Sequence, residues 1–142
     1  MAFILDTDLI SILQSESRPA SDRLSARVSA HPSAEICTTI VNFQEQVNGW
    51  LAYLNRSRSE QQILLAYEQL GKILDYYRKS HVFPFDGAAQ LRFTGLRRQR
   101  VCIGTLDLRI ASIALATGST LLSRNLSDFR KVPDLTVEDW SA

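Results

Sequence analysis

Five oxygen-bearing side chains, Asp6, Glu45, Asp107, Asn125 and Asp128, have types and positions suited to holding a hard metal ion. Carboxylate and amide oxygens with no accompanying His or Cys set favour Mg²⁺ or Mn²⁺ over zinc. One or two such ions can activate water and stabilise the attacking and leaving oxygens of phosphodiester hydrolysis. Each acid also has a plain structural reading. Asp6 suits a helix N-cap, Glu45 suits the dipole at a helix start, and Asp107 could be balanced by a cap or an arginine instead of a metal.

The elements that must position these residues follow from the pattern of apolar runs. Phe3-Ile4-Leu5 reads as a strand that stops at Asp6, and Leu9, Ile10, Ile12 and Leu13 continue as a helix. In an open parallel sheet the carboxyl ends of the strands border the ligand crevice, so Asp6 faces the functional edge. Arg18-Pro19 marks a break, and a modest helix from Ala20 to Ala30 ends before His31-Pro32. Ile36 to Ile40 is a second strand, running into a helix over Val41 to Tyr53 that carries Glu45 near its start. Ser59 and Gln62, at capping-box spacing, open the longest periodic segment, which runs to Lys79 and forms a helical hairpin with the preceding helix.

His81 to Phe85 is a short strand, and Asp86 caps a helix from Ala88 to about Gln99. Thr105 caps a strongly apolar helix that ends at Gly118 and places Asp107 in its first turn. Thr120-Leu121-Leu122 is a further strand, leading into the loop with Arg124, Asn125 and Asp128, and Leu135 to Val137 is a final edge strand. Strands alternating with helices predict an α/β sandwich around a parallel sheet, with Asp6, Glu45 and Asp107 gathered at one edge.

A chain of 142 residues suits one domain spanning 1–142. No apolar stretch is long enough to span a bilayer, and the first residues show neither a basic leader nor a small-residue cleavage site, so the cytoplasm is the expected location. Cys37 and Cys102 lack metal-ligand spacing and are expected to be buried free thiols. The net charge of +1 conceals a segregation: residues 87–131 hold eight basic side chains against two acidic ones, a net +6 that leaves −5 for the remainder. That asymmetry fits either a face for a polyanion or surfaces that pair on folding. Arg97, Arg98, Arg100 and Arg124 are the candidates for drawing a phosphate backbone toward a cleft of carboxylates.

The blocks Phe3-Ile-Leu-Asp-Thr-Asp-Leu-Ile-Ser11, Ile103-Gly-Thr-Leu-Asp107-Leu-Arg-Ile-Ala111 and Leu121-Leu-Ser-Arg-Asn-Leu-Ser-Asp-Phe129, with the Glu45 helix and Val132-Pro-Asp-Leu-Thr-Val-Glu-Asp-Trp140, resemble PIN-domain ribonucleases, specifically the toxins of VapBC-type toxin–antitoxin pairs. The resemblance implies a PIN-like three-layer α/β/α sandwich with a mainly parallel central sheet. It also implies Mg²⁺-dependent cleavage of RNA, homodimerisation and inhibition by a cognate antitoxin. It assigns Asp6, Glu45 and Asp107 to the acidic cluster, with Asp6 and Asp107 as direct metal ligands, and Thr7 and Ser11 as residues orienting Asp6 or a water.

Two positions depart from the family pattern. Asp8 stands where Asn is common, and Asn125 stands where many members carry a fourth acid, a charge that Asp128 could replace. The rival readings are a PIN-type nuclease outside any toxin–antitoxin pair and a degenerate PIN-like RNA-binding protein.

Overall fold

Residues 1–14 and 19–142 are described by a computed structural model, so Arg18 of the expected Arg18-Pro19 break lies outside the described residues. The sheet is built from β1 (Phe3–Leu5), β2 (Ile36–Thr39), β3 (His81–Phe83), β4 (Thr120–Leu122) and β5 (Val137–Glu138). Its order is β3-β2-β1-β4-β5, and every neighbouring pair is parallel. The strand β1 therefore lies at the centre, paired with β2 through Phe3↔Ile36 and with β4 through Phe3↔Thr120.

Helices cover both faces, which explains why the central strands are apolar at consecutive positions instead of alternating. Phe3, Leu5 and Leu122 pack on one face with α1 (Thr7–Gln14), α2 (Ala20–Ser29) and α4 (Glu60–Arg78), through Leu9, Ile10, Leu24, Ile73 and Tyr77. Ile4 and Leu121 point to the other face. There they meet Phe93 and Leu96 of α5 (Gly87–Arg98), Leu108, Ile110 and Ile113 of α6 (Thr105–Thr117), and Phe129 of α7 (Leu126–Phe129). The helix α3 (Ile40–Arg56) bridges the two, sending Val41 to the second core and Phe43 and Val47 to the first. This is the expected three-layer α/β/α sandwich.

The local devices at the element ends position the site. Thr39 ends β2 and caps α3, its hydroxyl accepting from the Asn42 N–H at 3.1 Å. Ser59 caps α4 by accepting from the Gln62 N–H, while the Gln62 amide oxygen accepts from the Arg58 N–H, one residue earlier than a standard box. Asp86 caps α5 through the Ala89 N–H, as its sequence position predicts.

Several expectations need correction. Thr105 is the first helical residue of α6, and Gly104 takes the cap position without any side-chain bond. β3 ends at Phe83, just before Pro84, which cannot donate to the ladder. β5 begins at Val137 instead of Leu135, because a turn through Asp134 at φ +66° and a bond from the Leu135 N–H to the Val132 carbonyl occupy the preceding residues. Cys37 is buried as expected, but Cys102 is exposed in the loop between α5 and α6.

Candidate metal centre

Asp6 follows β1 directly, at the carboxyl edge of the sheet. Its N–H donates to the Leu122 carbonyl of β4 at 2.8 Å, so the acid sits where the two central strands part. Its carbonyl accepts the first helical bond of α1, from Ile10. The structural reading of Asp6 thus holds at the backbone, and its side chain does more. Oδ1 accepts from the Thr7 N–H at 2.8 Å and Oδ2 from the Ser123 hydroxyl at 2.9 Å, in a residue only 6% exposed.

Glu45 lies in the second turn of α3, half-buried, and its Oε1 accepts from the Thr7 hydroxyl at 2.8 Å. Asp107 lies in the first turn of α6, also half-buried. One carboxylate oxygen from each of Asp6, Glu45 and Asp107 lies within 4.8 Å of the other two. Residues separated by 39 and 62 positions in the chain are thereby brought to one point.

A buried amide organises this arrangement. Asn42, fully buried in the first turn of α3, accepts at Oδ1 from the Thr38 and Thr39 hydroxyls and from the Thr39 N–H. Its Nδ2 donates to the Thr7 hydroxyl at 3.0 Å and reaches Asp6 Oδ1 at 3.5 Å. The Thr7 hydroxyl accepts from Asn42 and donates a hydrogen bond to Glu45, so one chain of bonds runs from the end of β2 to two of the three acids.

The electrostatics show what the trio lacks. Burial first, then the charges of Asp8 and Asp107, push the Asp6 carboxyl up to about 7 from an ordinary 3.8. Burial likewise raises Glu45 and Asp107, with Asp107 and Asp8 adding to the first and Asp128 and Asp8 to the second. Asp8 is raised by burial too, and its Oδ1 is buried with no hydrogen-bond partner among the described residues. Crowded, partly desolvated carboxylates that resist ionisation are a donor set suited to a hard cation, which would relieve both the repulsion and the desolvation. The residues present fit such an ion.

This geometry can be set against known proteins. No protein-family model matches the chain. It is 26% identical to Ribonuclease VapC1 of Haemophilus influenzae strain R2866 over 143 aligned positions, covering 99% of each chain. It is 28% identical to the tRNA(fMet)-specific endonuclease VapC of Shigella flexneri, again over 99% of each. Among solved structures, that of VapBC-1 from nontypeable Haemophilus influenzae superimposes with a TM-score of 0.78 over the full length of both chains at 24% identity. Over its full length the chain is similar to VapC ribonucleases.

The remaining candidates divide sharply. The Asn125 N–H donates to the Ser123 hydroxyl, but its side chain turns to Asp128, with Nδ2 to Oδ2 at 3.0 Å. That bond and Lys131 at 3.5 Å hold the Asp128 carboxyl below its usual range, so Asp128 forms a compensated pair beside Asp107 and does not join the trio. The Arg124 N–H donates to Asp8 Oδ2 at 3.1 Å, which places this exposed arginine on the rim of the centre.

Arg97, Arg98 and Arg100 are not brought to the carboxylates. Arg97 and Arg98 end α5 and Arg100 follows it, beside Leu96 and Gln99, which line a cavity with Leu115, Pro133 and Asp134. Leu115 is two turns and about 12 Å along α6 from Asp107. Arg97 packs over the Phe93 ring instead, at 5.2 Å.

Thr7 orients Glu45 through its hydroxyl and Asp6 through its backbone. Ser11, one turn further along α1, is exposed and lines a groove with Thr7 and Glu45, away from Asp6. Sequence reasoning missed Asn42 and Ser123. Thr39-x-x-Asn42 has the spacing of a cap, and Ser123 follows β4 as Asp6 follows β1; those were the available signals.

Proposed function

We propose that this protein is a Mg²⁺-dependent endoribonuclease, the toxin of a type II toxin–antitoxin pair, acting as a single domain in the cytoplasm. The observation that carries this reading is the convergence of Asp6, Glu45 and Asp107 oxygens within 4.8 Å at the carboxyl edge of the sheet. Asp6 and Asp107 would hold the ion directly, and Glu45 would complete its acidic surroundings. When bound, the cation supplies an acidified water and neutralises charge on the phosphoryl oxygens. The chain's own part is positional: Ser123 and the Thr7 N–H fix Asp6, the Thr7 hydroxyl fixes Glu45, and α6 presents Asp107. Arg124 offers the charge at the rim that draws an RNA backbone toward an acidic cleft.

The solved VapBC complexes from Haemophilus influenzae, Rickettsia felis and Salmonella typhimurium support a cognate antitoxin as the protein partner. A homodimer is the expected form of the toxin itself. The exposed apolar side chains of the helical hairpin, Leu64, Tyr67 and Leu74 among them, give it surface for such contacts.

Incubation of purified protein with total cellular RNA, in Mg²⁺ or EDTA, with new 5′ ends mapped by sequencing, tests the reading. Discrete cuts are expected with wild type and Mg²⁺ and are expected to vanish with EDTA or Asp107→Asn. Folded, antitoxin-free protein that binds Mg²⁺ and leaves RNA intact would refute it.

A further inference from the structure

A groove leads away from the metal centre between α1 and α3, enclosing about 320 Å³. Thr7 and Glu45 form its inner end, and Gln46, Gly49, Trp50, Tyr53 and Arg56 continue along one stripe of α3. From Glu45 to Arg56 the stripe extends about 16 Å.

Four features of this stripe point to one kind of occupant. Trp50 and Tyr53 are half-buried and meet edge to face with ring centroids 5.2 Å apart, forming an aromatic wall. Arg56 is exposed and makes no ion pair among the described residues. The Gln46 amide oxygen is buried without a hydrogen-bond partner among the described residues, although its Nε2 donates to Gln14.

Gly49 is the fourth. It sits mid-helix, where glycine weakens the helix, yet a Cβ there would meet nothing within 4 Å. Internal packing therefore does not require a glycine at this position. What the missing side chain leaves open is the floor of the groove, next to Glu45.

We infer that this groove is the subsite for the single RNA strand beside the scissile phosphate, an unpaired base stacking against Trp50 and Tyr53 while Arg56 meets the backbone further along. The inference rests on the ribonuclease reading. Aromatic faces accept any unpaired base, and a lone arginine suits a phosphate. A groove with an aromatic wall and a cation unpaired among the described residues, open to the acidic centre at one end, has the chemistry for a nucleotide strand.

Gly49→Gln fills the groove and Gly49→Ala barely enters it; both raise helix propensity, so both are expected to melt at or above the wild-type temperature. Cleavage kinetics on a fluorescein-labelled single-stranded RNA of randomised sequence, with Mn²⁺ binding measured separately, give the test. Gly49→Gln is expected to bind Mn²⁺ like wild type and to raise KM about tenfold with kcat retained, the signature of lost substrate binding. Gly49→Ala, which adds only a methyl group, should raise KM by less than Gly49→Gln. Arg56→Gln should lower the slope of log binding against log salt by about one.

Wild-type KM in folded, Mn²⁺-binding Gly49→Gln would overturn the inference. If that variant instead escaped inhibition by the antitoxin, the groove would belong to the protein partner. No metal-dependent cleavage by the wild type would sink the ribonuclease reading itself, a result distinct from failure of the groove alone.

Discussion

Neutralising Asp6 is expected to stabilise the metal-free protein at neutral pH and to destabilise it in acid. The unfolded carboxyl titrates near 3.8 and the folded one near 7, so between those values the native state binds the extra proton. Stability is therefore full below pH 4 and falls as the pH rises through 7. At 1.36 kcal/mol per pH unit, that displacement costs the ionised, metal-free protein about 4 kcal/mol by pH 8.

Asp6→Asn removes the cost but also disturbs the Ser123 bond. An amide nitrogen facing the Ser123 oxygen must compete with the Asn125 N–H already donating there, a loss of about 1 to 2 kcal/mol. The net expectation at pH 8 in EDTA is a gain of about 2 kcal/mol, or roughly 6 °C in Tm for a chain of this size. At pH 4 only the loss remains, so the sign reverses.

Urea unfolding followed by circular dichroism at both pH values, with and without Mg²⁺, measures all of this. Saturating Mg²⁺ should raise the wild type by about 3 kcal/mol at a hundredfold excess over Kd and leave Asp6→Asn unmoved. If Asp6→Asn were destabilised equally at pH 4 and pH 8 in EDTA, the charge-crowding argument would fail.

Further expectations follow from neighbouring contacts. Asn42→Ala removes partners from three buried threonine groups and should cost about 3 kcal/mol in chemical denaturation, with cleavage lost even under conditions where the variant is folded. Thr7→Val keeps the backbone bond to Asp6 and deletes only the hydroxyl that holds Glu45, so kcat should fall while the Mn²⁺ affinity changes little, as read by calorimetry. Arg124→Gln should weaken RNA binding and its salt dependence more than the triple replacement of Arg97, Arg98 and Arg100 by Gln; equal effects in a salt titration would count against the placement of α5. Asp128→Asn should leave metal affinity within about twofold of wild type, because Asn125 and Lys131 already compensate that acid; a large loss would return it to the metal centre.

The acidic trio was legible because each acid interrupts or follows an apolar run, and a parallel sheet gathers such points at one edge. Asp6 after Phe3-Ile4-Leu5 needed no tertiary information beyond that rule. Asn42 was hidden for the opposite reason: one asparagine near a helix start is ordinary, and only burial against Thr7, Thr38 and Thr39 makes it a hub. The basic run at residues 97–100 misled because its charge is local but its direction is not. The residues between Gln99 and Gly104 return the chain from the end of α5 to the start of α6, and nothing in their composition announces it. Thr105 failed as a cap since Gly104 already offers the backbone geometry, and the side chain that comes near Gly104 is that of Asp107.

Placing β1 in the middle of the sheet has a consequence for the order of synthesis. The strand β1 needs β2 on one edge and β4 on the other, and β4 is translated well after both β1 and β2. Until Leu122 and Ser123 emerge, the Asp6 N–H has no strand partner and its carboxylate no hydroxyl to fix it. The nascent polypeptide thus carries Asp6 long before it can assemble the acidic cluster around it, and that assembly waits for β4 and Ser123 to be made.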